Sequence, residues 1–174
     1  FARLRSGAAL QSLLEQTGVK AVYSNAKVRL SLARSLPLIR QPQTAAQGGT
    51  GAGVAVAVLD TGVDYTNAAF GGCAAPGGAC KVAYAVDLAP DDGKLDSDGH
   101  GTQVAGIVVG VAPDARIVSL DIFRKQFGEE RAFSSDIIGA IDWVIANRAA
   151  YNIVAINLSL GEDFQYTSPC GLNV

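Results

Sequence analysis

The clearest hydrophobic pattern runs from residue 54 to residue 160. Val54-Ala-Val-Ala-Val-Leu59 is an unbroken apolar run that stops at Asp60, which predicts a strand buried on both faces of a parallel sheet. Arg116-Ile-Val-Ser-Leu-Asp-Ile122 and Ile153-Val-Ala-Ile-Asn-Leu-Ser-Leu160 predict two more strands. Between them, Ile137, Ile141, Val144, Ile145 and Arg148 recur at helical spacing and predict a helix over Ser135–Arg148. Ser134 or Ser135 is the expected cap, and Asp136 suits the positive end of that helix. Another helix is expected to start near His100, with Val104, Ile107 and Val108 as its apolar face. Strands alternating with helices specify an α/β layered fold on a parallel sheet. Functional residues in such sheets collect beyond the carboxyl ends of the strands. Asp60 belongs there, and Ser159 to Gly161 share that rim if the third strand runs parallel.

The first 47 residues read differently. They hold half of the basic residues and a single acid, Glu15. Ala8–Gln16 predicts a short helix with Leu10, Leu13 and Leu14 on one face and Gly18 as its stop. Val19-Lys-Ala-Val-Tyr23 alternates like a strand. Pro37, Pro42 and the stretch Gln41 to Gly53 read as a linker. The expected organisation is a small α+β appendage over 1–40, a linker over 41–53, and an α/β domain over 54–174.

Composition narrows the function classes. The chain has 174 residues, with 14 Lys and Arg against 16 Asp and Glu. A net charge of −2 leaves no basic surplus to displace counterions from nucleic-acid phosphates. A hydrophobic content of 49 % excludes disorder. No apolar run reaches the roughly 18 residues that a membrane-crossing helix needs. Charged residues make up 17 %, below the usual ~25 %, and there is no methionine. A bias toward small residues explains the low charge; so do apolar faces that belong against polypeptide outside these residues.

Cys73 and Cys80 flank the turn-rich Ala-Ala-Pro-Gly-Gly-Ala loop. The expectation is a disulfide, worth about 2.5 kcal/mol by loop-closure entropy, and with it an oxidising, extracellular or periplasmic compartment. The alternative is two surface thiols. Cys170 is left over, free or paired with a partner beyond Val174. With one histidine and no Cys/His cluster, no zinc site is expected.

Gly49-Thr-Gly-Ala-Gly53 precedes its strand, whereas a dinucleotide fingerprint follows one, so these glycines read as linker. Asp60-Thr-Gly-Val-Asp64 is more informative. A phosphatase nucleophile would want a second carboxylate two residues on, where Gly62 stands. A phosphate-cradling Asp-x-Gly turn fits, as does a carboxylate that orients a histidine; the plain alternative is a strand-end cap. Asp98-Gly-His100-Gly-Thr-Gln-Val-Ala-Gly106 favours the histidine reading. Its glycines hold a polar ring at a helix start and permit close approach of other chain, as a general base requires.

Taken together, Asp60-Thr-Gly-Val-Asp64, His100-Gly-Thr-Gln-Val-Ala-Gly106, Gly110-Val-Ala-Pro-Asp-Ala115 and Ile156-Asn-Leu-Ser-Leu-Gly161 resemble the subtilisin-like serine proteases (subtilases, peptidase family S8) in order and spacing over residues 48–161. The resemblance implies a three-layer parallel-sheet fold, here incomplete, and peptide-bond hydrolysis through an Asp-His-Ser triad. It implies Asp60 as the orienting carboxylate, His100 as the general base, and Ser159-Leu160-Gly161 as the segment that pairs with substrate backbone. Residues 1–40 resemble, more weakly, the end of a subtilase propeptide. Gln103 replaces a second histidine common in the motif, a change expected to affect local hydrogen bonding only.

One departure matters. The Gly-Thr-Ser motif of the nucleophile and the segment of the oxyanion-hole asparagine do not occur in this sequence; Ser134, Ser135, Ser159 and Ser168 lie in other contexts. The expectation is therefore an amino-terminal portion of a secreted serine endopeptidase, inactive alone and partnered by the remaining half of its peptidase domain. Two alternatives remain open: a non-catalytic peptide-binding or scaffold relative, and phosphate binding at Asp60-Thr-Gly62. No cofactor is expected. Calcium on the acidic loop Asp87–Asp98 is conceivable, but Lys94 breaks the EF-hand pattern, and the loop reads as solvated.

Overall fold

The computed structural model describes residues 6–19, 32–90 and 92–161. The chain divides into two compact units, Phe1–Ser31 and Leu32–Val174. In the first, α1 (Gly7–Leu14) begins at Ser6, whose hydroxyl accepts the Ala9 amide at 3.2 Å and satisfies one orphan donor of the first turn. Leu10 and Leu14 are exposed. The strand expected over residues 19–23 lies outside the described residues except for Val19.

The second unit is built on a four-stranded parallel sheet of β1 (Ala55–Asp60), β2 (Val82–Asp87), β3 (Arg116–Asp121) and β6 (Ile153–Asn157), in the order β2-β3-β1-β6. The central strands β1 and β3 are the most buried because both of their faces are covered. Ala55, Ala57, Leu59, Val118 and Leu120 point to one face and bury against Ala140 and Val144 of α5 (Ser134–Tyr151). Val58 and Ile117 point to the other, against Val104, Ala105 and Val109 of α4 (His100–Val111). The period-two alternation of the strands thus sorts side chains between two helices on opposite faces, giving the three-layer α/β arrangement.

Several local expectations are corrected. Gln41–Gly53 is not all linker: α2 (Leu32–Leu38) ends around Pro37, and α3 (Gln41–Ala46) carries Pro42 in its first turn, where the missing N–H costs nothing. Gln41 Nε2 donates to Val111 O at 3.0 Å, tying α3 to the end of α4. The α5 cap is the backbone of Phe133, with no side-chain cap bond, while Asp136 pairs with Arg124. Ile107 and Ile145 face outward rather than into the core. Strand β6 stops at Asn157, short of Leu160.

A fourth strand in the parallel sheet and a β-hairpin were also not anticipated. Strand β2 lies on the edge of the sheet, where Tyr84 stacks on Trp143 with ring centroids 5.0 Å apart. The hairpin of β4 (Phe123–Gln126) and β5 (Glu129–Ala132) turns at Phe127 and Gly128, both left-handed at φ 56° and 86°. Cys73 and Cys80 form a disulfide closing the loop before β2. No helix among the described residues is long and apolar enough to cross a membrane.

Candidate active site

The site begins where β1 ends. Asp60 is the last residue of the strand and 1 % exposed, so its carboxylate requires partners. Its Oδ1 accepts the Thr61 amide at 2.8 Å and faces His100 Nδ1 at 2.7 Å. An ionised carboxylate only accepts, which assigns the shared proton to His100 Nδ1 and leaves Nε2 with its lone pair. The His100 side chain is 49 % exposed, so the ring is gripped from behind and open in front. Asp60 Oδ2 is buried without a hydrogen-bond partner among the described residues.

Glycines make this approach possible. A Cβ on Gly101 would lie 2.1 Å from Gly62 O and 3.2 Å from the Asp60 Cβ. A Cβ on Gly62, at φ +94°, would lie 2.3 Å from Leu95 O. Both contacts are shorter than any side chain tolerates, so the α4 start and the β1 end meet backbone to backbone. The same closeness leaves no cradle for a phosphate at Asp60-Thr-Gly62, since the Thr61 amide is already taken by Asp60 and Gly62 is covered by Leu95.

The hydrogen bond to Asp60 raises the His100 pKa above its usual 6.5; burial opposes this, and the charges of Asp60, Asp98 and Asp96 add to it. The acidic loop is not simply solvated, as had been expected. Asp96 is half-buried and takes hydrogen bonds from Thr61, Asp98, Gly99 and Thr102. Burial pushes its pKa up, but these bonds outweigh burial and hold it below the ordinary value of 3.8. Gln103 is exposed on α4. Among the described residues no group of three or more His, Cys, Asp or Glu side chains is placed to hold a metal ion.

Ser159, Leu160 and Gly161 are exposed and continue from β6, whose outer edge is the edge of the sheet. The Ser159 hydroxyl donates to Asn157 Oδ1 at 2.9 Å. Leu160 and Gly161 border a cavity of about 350 Å³ whose apolar wall is Phe123, Ala132, Phe133 and Ile137, with Glu130 also lining it. Asp60 and His100 are therefore brought into contact, and Ser159–Gly161 form a separate exposed segment past the edge strand.

Sequence comparison gives this geometry a context. The subtilase family profile matches residues 51–171. A subtilisin-like protease of Coccidioides posadasii is 34 % identical over 118 residues, covering 64 % of this chain and 26 % of that protein. Subtilisin E of Bacillus subtilis is 32 % identical over 134 residues, covering 71 % of this chain and 31 % of its own. A thermostable alkaline protease of Halalkalibacterium halodurans is 31 % identical, covering 87 % and 40 % respectively. The chain thus spans well under half the length of these relatives. The structure of the Clostridium perfringens CspB protease superposes with a TM-score of 0.54 at 25 % identity, covering 68 % of this chain and 31 % of that one. With the family profile matching most of its length, and a carboxylate and imidazole in contact at the carboxyl rim of a parallel sheet, the chain belongs to the subtilase family.

Proposed function

We propose that this chain supplies the acid–base half of a serine endopeptidase. The observation that carries the reading is the 2.7 Å contact of Asp60 Oδ1 with His100 Nδ1. Asp60 fixes the tautomer and stabilises the imidazolium. His100 Nε2 takes the proton from a serine hydroxyl as that oxygen bonds to the scissile carbonyl carbon, then delivers the proton to the departing amine. The acyl-enzyme is hydrolysed by water through the same base. Ser159–Gly161 offer edge backbone to an extended polypeptide substrate, which pairs as an added strand.

The serine nucleophile and oxyanion donor come, in this reading, from polypeptide beyond these 174 residues, the remaining half of the peptidase domain. Residues 1–40 act as the end of a propeptide. The Cys73–Cys80 bridge supports an extracellular or periplasmic setting.

The test is casein hydrolysis by the product of the complete reading frame and by the 174-residue chain. The complete product is expected to cleave, with His100→Ala lowering kcat by several orders of magnitude, and the 174-residue chain to be inactive. An unchanged rate in His100→Ala, or time-dependent cleavage by the 174-residue chain alone, contradicts the proposal.

A further inference from the structure

We propose that Asp96 is a positioning residue for the Asp60–His100 pair, holding the first turn of α4 and the chain after β1 in the one arrangement that seats the imidazole. This rests on the peptidase reading above and adds a residue to it.

Helix α4 starts with His100, and its N-cap, Gly99, has no side chain to satisfy the free amides of the first turn. Asp96 does so from three residues upstream. Its Oδ1 accepts the Gly99 amide at 2.7 Å and the Asp98 amide at 3.2 Å, and its Oδ2 accepts the Thr102 amide at 2.8 Å. The negative charge also lies at the positive end of the helix.

The same carboxylate reaches the other partner of the pair. Oδ1 accepts the hydroxyl of Thr61, the neighbour of Asp60, at 2.8 Å, and Thr61 Oγ1 in turn accepts the Gly101 amide at 3.0 Å. Oδ2 accepts the Thr102 hydroxyl, whose oxygen accepts the Asp64 amide at 2.9 Å. Five donors from two segments therefore converge on one carboxylate, which saturates its lone pairs. The backbones are stitched alongside: Gly62 and Asp96 form an antiparallel bridge, and the Ser97 amide donates to Thr61 O at 3.1 Å. His100 and Asp60 each lie next to atoms that Asp96 holds, and Asp96 touches neither reacting group.

The chain has one histidine, so a proton NMR titration reads His100 directly. The negative groups acting on the ring are Asp60, Asp98 and Asp96. Asp60→Asn defines the loss of the pair. Asp96→Glu keeps the charge but its longer arm cannot meet all five donors, and Thr61→Val removes one donor while leaving the charge in place. In Asp96→Glu the His100 midpoint is expected to fall by roughly half a pH unit or more, toward that of Asp60→Asn, with core methyl resonances still dispersed; Thr61→Val is expected to move it the same way by less.

If Asp60→Asn moves the midpoint while Asp96→Glu and Thr61→Val do not, the positioning role is overturned and the pair stands. If only Asp96→Asn lowers it and Asp96→Glu does not, the residue acts through charge alone and the positioning role is again overturned. If none of the variants moves it, the peptidase reading falls as well.

Discussion

The two helices flanking the sheet carry opposite surfaces. Around the start of α4, polar groups are closely wired: Asp60, Thr61, Asp96, Gly101 and Thr102 share a continuous set of hydrogen bonds, and the backbones touch at Gly62 and Gly101. On the α5 and β6 flank, Ile145 and Val154 are 68 % and 61 % exposed, with Ile138, Ile156, Leu158 and Leu160 also facing outward. The first region is organised within the chain. The second is an apolar face beside an edge strand, the kind of surface that further protein covers. The Asp60–His100 contact is thus held by hydrogen bonds among neighbouring residues of the chain, whereas the α5 and β6 flank leaves large apolar side chains exposed.

The largest effect that tests this contrast is expected at Gly101. Gly101→Ala drives a methyl into Gly62 O, a backbone atom that cannot swing away. Thermal or urea unfolding is expected to show a loss of about 3 kcal/mol or more. A neutral result would mean that the α4 start and the β1 end are not in tight contact.

Next comes pH. Asp121 sits in register with Asp60 on one side and Asp87 on the other. Burial pushes its carboxyl up to about 7; the Phe123 amide opposes, and the charges of Asp87, Asp92 and Asp96 add to the rise. Its folded value is higher than its unfolded value, so its contribution is full below about pH 4 and is lost as pH climbs through about 7. Asp121→Asn is expected to flatten that decline, by on the order of 2 kcal/mol, in urea unfolding measured from pH 4 to 8. An identical pH dependence in the variant would show that Asp121 is not the group responsible. His100 adds a smaller change of the same sign, present below 6.5 and lost as pH rises through its raised folded value.

The smallest stability change is expected on the apolar flank. Ile145→Lys and Val154→Lys are each expected to alter unfolding free energy by about 0.5 kcal/mol or less, yet to reduce binding of a hydrophobic dye and self-association in light scattering. A large destabilisation would place these side chains in the core instead.

Much of the central fold was legible because α5 places Ile137, Ile141 and Val144 at helical spacing, and Asp60 ends an apolar run that only a doubly covered strand explains. Strand β2 was hidden because it is a half-covered edge strand whose partners, β3 and the Trp143 ring that stacks on Tyr84, lie far away in sequence. The hairpin was hidden for the opposite reason: Phe123-Arg-Lys-Gln and Glu-Glu-Arg-Ala132 are too charged to alternate, and the turn uses Phe127 at positive φ where Asn or Gly is usual. Asp60 and His100 stood out by local context. Asp96 did not, because nothing in a run of five nearby aspartates marks the one whose oxygens meet five donors; only the folded return of Thr61 and Thr102 does.

The most direct test of the central claim is the titration of the single imidazole in the wild-type chain and in Asp60→Asn. The wild-type midpoint is expected above 6.5, and that of Asp60→Asn lower, because burial then acts on the ring without its carboxylate partner. Coincident midpoints in two folded proteins would mean that Asp60 does not engage His100, and would contradict the assignment of the pair as an acid–base unit.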